Sequence, residues 1–246
     1  MINIKPTEIE YTKMYTVEET HWWYRGLRRV LLHWINKVKP PRILDAGCGT
    51  GMNMQKLTAL GYEVHGLDYS ENALVFCKER GLENLKQGLL EALPYGDSYF
   101  DCIYSIDVLG SLDPEKVQTA VNEFYRCLKL GGYLIVNCAA FEFLRSGQDR
   151  AWHIKKRYTR RELKDIFERC NFSITKSTYR VFFLFPLVLV AKLLRRKSTT
   201  SDTDKTNFLI DLLFFPIMHL EGSLLKFISF PFGSSVFLVA IKEPSA

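Results

Sequence analysis

The stretch ILDAGCGTG at residues 43–51 constrains the fold of this chain more than any other. Its apolar start is typical of a buried strand, and residues 52–60 after it have the spacing of a helix. Gly47, Gly49 and Gly51 let the backbone turn tightly and approach a ligand closely. The helix start beside the loop favours negative charge. The stretch therefore predicts a strand, a ligand-binding loop and a helix in succession.

Short apolar runs alternate with helical patterns through the middle of the chain, which is typical of βα units around a mostly parallel sheet. Ser70 is expected to cap a helix that ends at Gly81, and Asp113 to cap one that ends at Gly131. Thr159 and Glu162 form a capping box for a third helix. The expected strands cover residues 42–46, 63–67, 100–106, 133–138, 172–183 and 235–241.

An acidic residue, Asp68, ends the second predicted strand, in the place where a carboxylate accepts hydrogen bonds from ribose hydroxyls. The ligand is therefore expected to contain adenosine. The loop reads G-x-G-x-G, with Met52 where a dinucleotide-binding loop has its last glycine. Asp45 just before the loop would repel a pyrophosphate. It suits S-adenosylmethionine (SAM), which carries an ammonium and a sulfonium and no phosphate.

Four segments in the same order resemble class I SAM-dependent methyltransferases. DAGCGTG at residues 45–51 resembles their motif I, and Asp68 matches their ribose-binding acid. Residues 89–109 are similar to the region of their third and fourth strands, and residues 128–136 to the motif that precedes their fifth strand. The resemblance implies a Rossmann-like α/β fold, with a seven-stranded, mostly parallel sheet, helices on both faces and an antiparallel last strand. It also implies SAM as cofactor, S-adenosylhomocysteine as product, and no metal.

The resemblance assigns roles to individual residues. Asp68 would bind the ribose, and Ile106 and Asp107 would flank the sulfonium and the transferred methyl. Two departures stand out: Leu89 replaces an adenine-binding aspartate, and Gly110-Ser111 replaces a Glu-His pair that often supplies a base. The remaining cofactor-binding residues would hold the methionine end (Asp45, Gly47, Cys48, Gly49, Asn53) or border the adenine (Tyr69, Leu90, Glu91).

Two flanking segments resemble one subgroup of these enzymes, the type 11/12-like methyltransferases with an N-terminal HWWYRG helix. In residues 18–29, Trp23, Tyr24 and Arg25 would close over SAM, or the helix simply docks its tryptophans on the core. In residues 153–163, His153 is the candidate general base and Tyr158 a candidate acceptor contact. The alternative there is a surface segment that leads into the next helix.

The domain organisation expected is a single methyltransferase domain over residues 1–246. Residues 1–38 would form cap helices, and residues 39–184 and 234–246 the Rossmann-like core. Residues 185–233 would be a helical insertion. Within it, a strand would finish over residues 181–185, a helix over 187–194 would end in Arg195-Arg196-Lys197, and a second helix would break at Pro216. The insertion is expected to be a lid over an apolar acceptor site or to pack as part of the core.

Composition bounds the remaining possibilities. The chain has 246 residues and a net charge of +6, and two short basic clusters lack any nucleic-acid recognition motif, so no nucleic-acid partner is expected. The six scattered cysteines suggest a reduced, cytoplasmic protein, with association to a membrane surface as an alternative. The favoured function is methyl transfer from SAM to a small, apolar or lipid-linked acceptor. O-methylation is favoured and N- or C-methylation stays open. A non-catalytic binding protein and a dinucleotide-dependent oxidoreductase are the alternatives.

Overall fold

The computed structural model describes residues 8–194 and 208–243, and it contains one seven-stranded sheet with the order β3-β2-β1-β4-β5-β7-β6. Strands β1 to β5 are parallel to one another, whereas β7 is antiparallel to both β5 and β6. The expected Rossmann-like sheet is confirmed. The strands are β1 Arg42–Ala46, β2 Glu63–Asp68, β3 Leu85–Gln87, β4 Phe100–Ile106, β5 Leu128–Ala139, β6 Phe172–Arg180 and β7 Ser235–Lys242.

Helices cover both faces of the sheet because successive side chains of each strand point to opposite sides. In β4, Ile103 packs in one buried cluster with residues of α5 and α7, while Cys102 and Tyr104 pack in another with residues of α2, α3 and α4. The helices are α1 Glu8–Val17, α2 Trp22–Val38, α3 Met52–Thr58, α4 Glu71–Glu79, α5 Pro114–Cys127, α6 Gly147–Ala151, α7 Arg160–Arg169, α8 Phe185–Leu194 and α9 Phe208–Leu224. None of the helices in the described ranges is long and apolar enough to cross a membrane.

The predicted helix starts are found in the structure. Ser70 accepts the amide of Ala73 at the start of α4, and Thr159 forms the predicted capping box with Glu162. Asp113 stands at the N-cap of α5, but its carboxylate binds Lys155 instead of a backbone amide.

The predicted boundary between α5 and β5 is wrong. Helix α5 ends at Cys127, and the glycines expected to end it, Gly131 and Gly132, lie inside β5. Leu128 already pairs with Phe100, and the register shifts between Phe100 and Cys102. Gly131 adopts a φ of 76°, a left-handed conformation that glycine adopts at no steric cost. The glycines therefore serve an irregular strand.

The end of β6 also differs from expectation. The predicted strand through residues 181–185 is wrong, because β6 ends at Arg180 and Val181 has a φ of 62°. The carboxylate of Glu221, on α9, accepts the amides of Val181 and Phe182 at 2.6 and 2.7 Å and that of Phe183 at 3.3 Å. A distant side chain thus replaces the sheet as the partner of these amides.

Helix α9 continues through Pro216, so the predicted break there is wrong. Its packing against α2 offsets the amide that proline lacks. Phe214 meets the ring of Trp22 edge-on, and a Cβ on Gly26 would lie only 3.0 Å from the Cβ of Met218. The basic end expected after α8 and the polar stretch at residues 198–206 lie outside the described residues.

Replacement of Glu221 by Ala is expected to lower the free energy of unfolding by at least about 2 kcal/mol, because three amides lose their acceptor and Arg180 loses a nearby carboxylate. Urea denaturation measures this change. Glu115→Ala, on an exposed position of α5, is the matched control and should change stability by no more than about 0.5 kcal/mol. Equal effects of the two substitutions would contradict the assigned role.

Candidate active site

The glycine loop after β1 is tightly folded against its neighbours. Gly47, Gly49 and Gly51 have φ values of 89°, 54° and 81°. A Cβ on Gly47 would lie 2.3 Å from a methyl of Val108, so a larger residue cannot fit there. The amides of Gly47 and Cys48 both donate to the carbonyl of Leu67, at 2.7 and 3.0 Å. These bonds hold the loop at the carboxyl edge of β1 and β2, where ligands bind in open α/β sheets.

Acidic side chains gather around this loop. Asp45 is buried and accepts the hydroxyl of Tyr104 at 2.8 Å. Burial and the nearby acids Asp68 and Glu18 raise the pKa of Asp45 to about 8, although the hydrogen bond from Tyr104 opposes the shift. No basic group among the described residues contributes to this shift, so the site is suited to a ligand that brings positive charge. The ammonium and sulfonium of SAM supply such charge, and the residues present therefore fit this cofactor.

Asp68 is fixed at the end of β2 as the sequence predicts. Its two carboxylate oxygens accept the amides of Gly49 and Ser70, each at 2.9 Å. Burial nevertheless raises its pKa above the usual range. The carboxylate is thereby held next to the glycine loop, in a position suited to the ribose of an adenosine ligand.

Helix α1 and the turn after it form a cap on the loop. Tyr11 hydrogen-bonds to Ser70 and Tyr69, and burial next to Asp68 raises its pKa. At the end of the cap, the buried carboxylate of Glu18 accepts the hydroxyl of Thr50 and, at 2.7 Å, the guanidinium of Arg80. Sequence reasoning missed the contacts of Tyr11 and Glu18, because Tyr11 belongs to no motif and Glu18, although it begins the segment 18–29, has no role in the resemblance.

The predicted cap residues in α2 have different surroundings. Burial raises the pKa of Tyr24, and Glu18 and Asp107 are near enough to add to the shift. Arg25 instead stacks on Phe215 of α9, 3.5 Å from the ring centre. Trp23 packs with the same α2–α9 cluster. Tyr24 is thus near acidic residues of the site, whereas Arg25 and Trp23 pack between α2 and α9. Their predicted contacts with SAM stay predictions.

The other residues predicted to bind the cofactor have varied surroundings. Leu90 is buried in the main core, whereas Tyr69 is half-buried. Glu91 faces Lys116 at 3.4 Å. Asn53 accepts the guanidinium of Arg28 at 3.3 Å, and the sulfur of Cys48 lies 3.8 Å from that of Cys77.

The end of β4 carries the predicted methyl-transfer residues. Ile106 and Asp107 are half-buried, and Asp107 has a φ of 58°. The side-chain amide of Asn137 donates to the carboxylate of Asp107 at 2.9 Å. Burial raises the pKa of Asp107 to about 6, although Asn137 and two arginines, Arg180 and Arg157, oppose the shift. Asp107 is therefore mostly ionised at pH 7 and can accept a hydrogen bond or a proton.

The other two predicted catalytic residues follow β5 in the chain. His153 is half-buried, with a φ of 52°, and the preceding Trp152 packs edge-on against Tyr11 of the cap. Tyr158 is only 1% exposed and belongs to the main core, and its hydroxyl has no hydrogen-bond partner among the described residues. Acceptor contacts by His153 and Tyr158 stay predictions.

Comparison with known proteins agrees with this geometry. The sequence model of a family described as a methyltransferase domain matches residues 44–136. Residues 44–136 are therefore similar to a methyltransferase domain, as the sequence predicts. The matched region contains the glycine loop, Asp68 and Asp107, and the likeness implies SAM as the cofactor.

Curated relatives share the same region. The chain is 32% identical over 107 residues to a probable SAM-dependent methyltransferase, TehB, of Haemophilus influenzae, covering 42% of this chain and 37% of the relative. It is 34% identical over 104 residues to a malonyl-[acyl-carrier protein] O-methyltransferase of Enterobacter lignolyticus, covering 42% and 41%. The chain therefore spans about two fifths of the length of these relatives.

A solved structure extends the likeness to nearly the whole fold. A putative methyltransferase, in complex with the Haloferax volcanii Trm112 methyltransferase activator, is 15% identical, with a TM-score of 0.63 over 97% of this chain and 95% of that chain. At this identity the likeness shows the fold alone.

The raised pKa of Asp45 leads to a prediction about the cofactor. The carboxyl is mostly protonated at pH 7, and a bound ammonium favours its ionised form, so SAM binding should release a proton. Below the pKa of about 8, affinity should rise by up to about tenfold per pH unit. Calorimetry between pH 6 and 7.5, in buffers with different heats of ionisation, measures both effects. Asp45→Asn should abolish the proton release, and exposed Asp165→Asn should preserve it. Binding without proton release in the unaltered protein would contradict the prediction.

Proposed function

We propose that this protein is a SAM-dependent methyltransferase that acts on a small acceptor with a large apolar part or a lipid attachment. The observation that carries the proposal is the acid-lined glycine loop. There, no basic residue in the described part of the chain lowers the pKa of Asp45, and Asp68 is fixed beside the loop by two amides. A fold kept only as a scaffold does not need these buried carboxylates, which are costly without a cationic ligand.

Methyl transfer depends mainly on how the acceptor is positioned relative to the methyl group of SAM. SAM, when bound, supplies an electrophilic methyl on a sulfonium. The chain then has to hold the acceptor in line with that methyl and exclude water, which provides most of the acceleration. Asp107, which follows β4, and Tyr24, on α2, are the residues that we expect to border this position. Asp107 is ionised above about pH 6, so it and His153 are the candidates to remove a proton from a hydroxyl acceptor. O-methylation is the reaction we favour.

The helical insertion supports an apolar acceptor. Helix α8 has no buried residue, and α9, the next helix along the chain, has further exposed apolar side chains. In sequence, Arg195-Arg196-Lys197 follow α8 directly, and Lys226 stands beside the highly exposed Phe227. Apolar side chains flanked by basic ones suit an anionic lipid surface. We propose that the insertion contacts such a surface, from which an apolar acceptor can reach the site. The exposed apolar residues are Leu187, Val190, Leu193, Leu194, Leu209, Ile210, Leu212, Leu213 and Leu220.

Loss of Asp68 tests the cofactor assignment. Asp68→Ala removes a carboxylate suited to two ribose hydroxyls, so affinity for SAM should fall by about 10- to 100-fold. Isothermal titration with SAM and S-adenosylhomocysteine measures it, and circular dichroism checks that the variant is folded. Exposed Asp165→Ala should bind like the unaltered protein. Absence of micromolar binding of either compound by the unaltered protein would refute the proposed function.

Vesicle sedimentation tests the lipid surface. Leu187→Gln with Leu213→Gln changes side chains that are 57% and 65% exposed on α8 and α9. Leu60→Gln with Leu130→Gln changes side chains that are 57% and 63% exposed elsewhere. On vesicles of phosphatidylcholine with phosphatidylglycerol, the first pair should weaken binding at least about fivefold, because each buried leucine contributes about 1.5–3 kcal/mol. The second pair should bind normally, and equal binding by both pairs would exclude this surface.

A further inference from the structure

Arg180 is a fully buried cation at the carboxyl end of β6. One guanidinium nitrogen, Nη1, donates to the side-chain oxygen of Asn137 at 3.2 Å. The other two nitrogens, Nε and Nη2, are buried and have no hydrogen-bond partner among the residues that the structure describes. Unpaired donors on a buried charge are costly, so they suggest a missing acceptor.

The side chains around Arg180 lead to the methyl-transfer position. Asn137 lies near the end of β5, and its amide group donates to Asp107 at the end of β4. Asp107 and Glu221 are the carboxylates close enough to act on the charge of Arg180. Asp107, Asn137 and Arg180 therefore form a row along the carboxyl edge of three strands. Ligands of open α/β sheets bind at this edge.

Neither nearby carboxylate occupies the two free nitrogens. The oxygens of Glu221 accept the backbone amides of residues 181–183, and Asp107 accepts the side-chain amide of Asn137. Arg157, which also acts on Asp107, is bound to Asp149. Nε and Nη2 of Arg180 can therefore bind a group from outside the described residues.

The identity of the free pair indicates the chemistry of that group. Nε–H and Nη2–H point to the same side of a guanidinium and match the two oxygens of one carboxylate. The protein uses this pair repeatedly: Nε and Nη2 of Arg157 bind the two oxygens of Asp149 at 2.7 and 3.3 Å. The same pair of Arg126 binds both oxygens of Glu123, and that of Arg145 both oxygens of Glu142.

We propose that Arg180 binds a carboxylate of the methyl acceptor through Nε and Nη2 and so holds the acceptor beside Asp107. The acceptor is then an amphiphilic carboxylic acid, with its apolar part toward the insertion. Because Arg180 is fully covered, the acceptor reaches it by displacing α9, which Glu221 attaches to the end of β6. This inference rests on the proposed function, since it concerns the acceptor of the same site.

Calorimetry with a matched pair of probes tests this proposal. Octanoate and octanamide have the same shape and differ in charge, and each is titrated into protein saturated with S-adenosylhomocysteine. The unaltered protein should bind octanoate at least about 30-fold more tightly than octanamide, as expected for a buried arginine–carboxylate pair. Arg180→Met should remove this preference. Arg180→Lys should recover only part of it, because an ammonium cannot bind both oxygens as a planar fork.

Lys176→Met is the matched control, because it removes one positive charge from the same strand. It should keep the preference for octanoate. Equal binding of the two probes by the unaltered protein, or a preference that persists in Arg180→Met, would overturn the proposal and leave a structural role for Arg180. Binding of S-adenosylhomocysteine is measured in the same titrations. Its loss in the unaltered protein would refute the proposed function, whereas a missing probe preference with that binding intact would refute the role of Arg180 alone.

Discussion

The packing around the carboxyl edge of the parallel strands depends on the ionisable side chains that lie there. Parallel strands place their last residues along one edge, and here that edge carries the buried Asp45, Asp68 and Arg180 and the half-buried Asp107. The three acids have different hydrogen-bond partners: a tyrosine hydroxyl for Asp45, two backbone amides for Asp68 and a side-chain amide for Asp107. The elements around this edge carry groups that interact with these side chains. Glu18 at the end of the cap, the amide of Gly49 in the glycine loop and Glu221 in the insertion are examples.

Sequence reasoning reached the features that depend on local interactions. The glycine loop, the Ser70 cap and the Thr159–Glu162 capping box follow from bonds between residues a few positions apart, and β4 was predicted at its observed bounds. The methyltransferase domain could be predicted because its motifs form one nearly continuous region of the chain. Within that region, the positions of Asp45 and Asp68 relative to the loop follow from the strand order.

Features that depend on distant partners could not be predicted in this way. Residues 181–185 have strand composition, yet their amides bind Glu221, which lies about forty positions later in the chain. Pro216 is a helix breaker by its chemistry, yet α9 passes through it because α2 supplies the packing. Arg180 gives only a weak signal in the sequence, a charged residue directly before the apolar run at residues 181–191. Its importance is visible only beside Asn137 and Asp107.

The contact between Gly26 and Met218 has a consequence for the variation that this fold tolerates. Helices α2 and α9 approach so closely there that even a methyl group at position 26 would crowd the side chain of Met218. The glycine in HWWYRG is thus explained by the insertion that packs on it, far along the chain. A homologue without that insertion is free to carry a larger residue at this position, and one that keeps the insertion is not. The two segments are expected to be gained, lost and exchanged together.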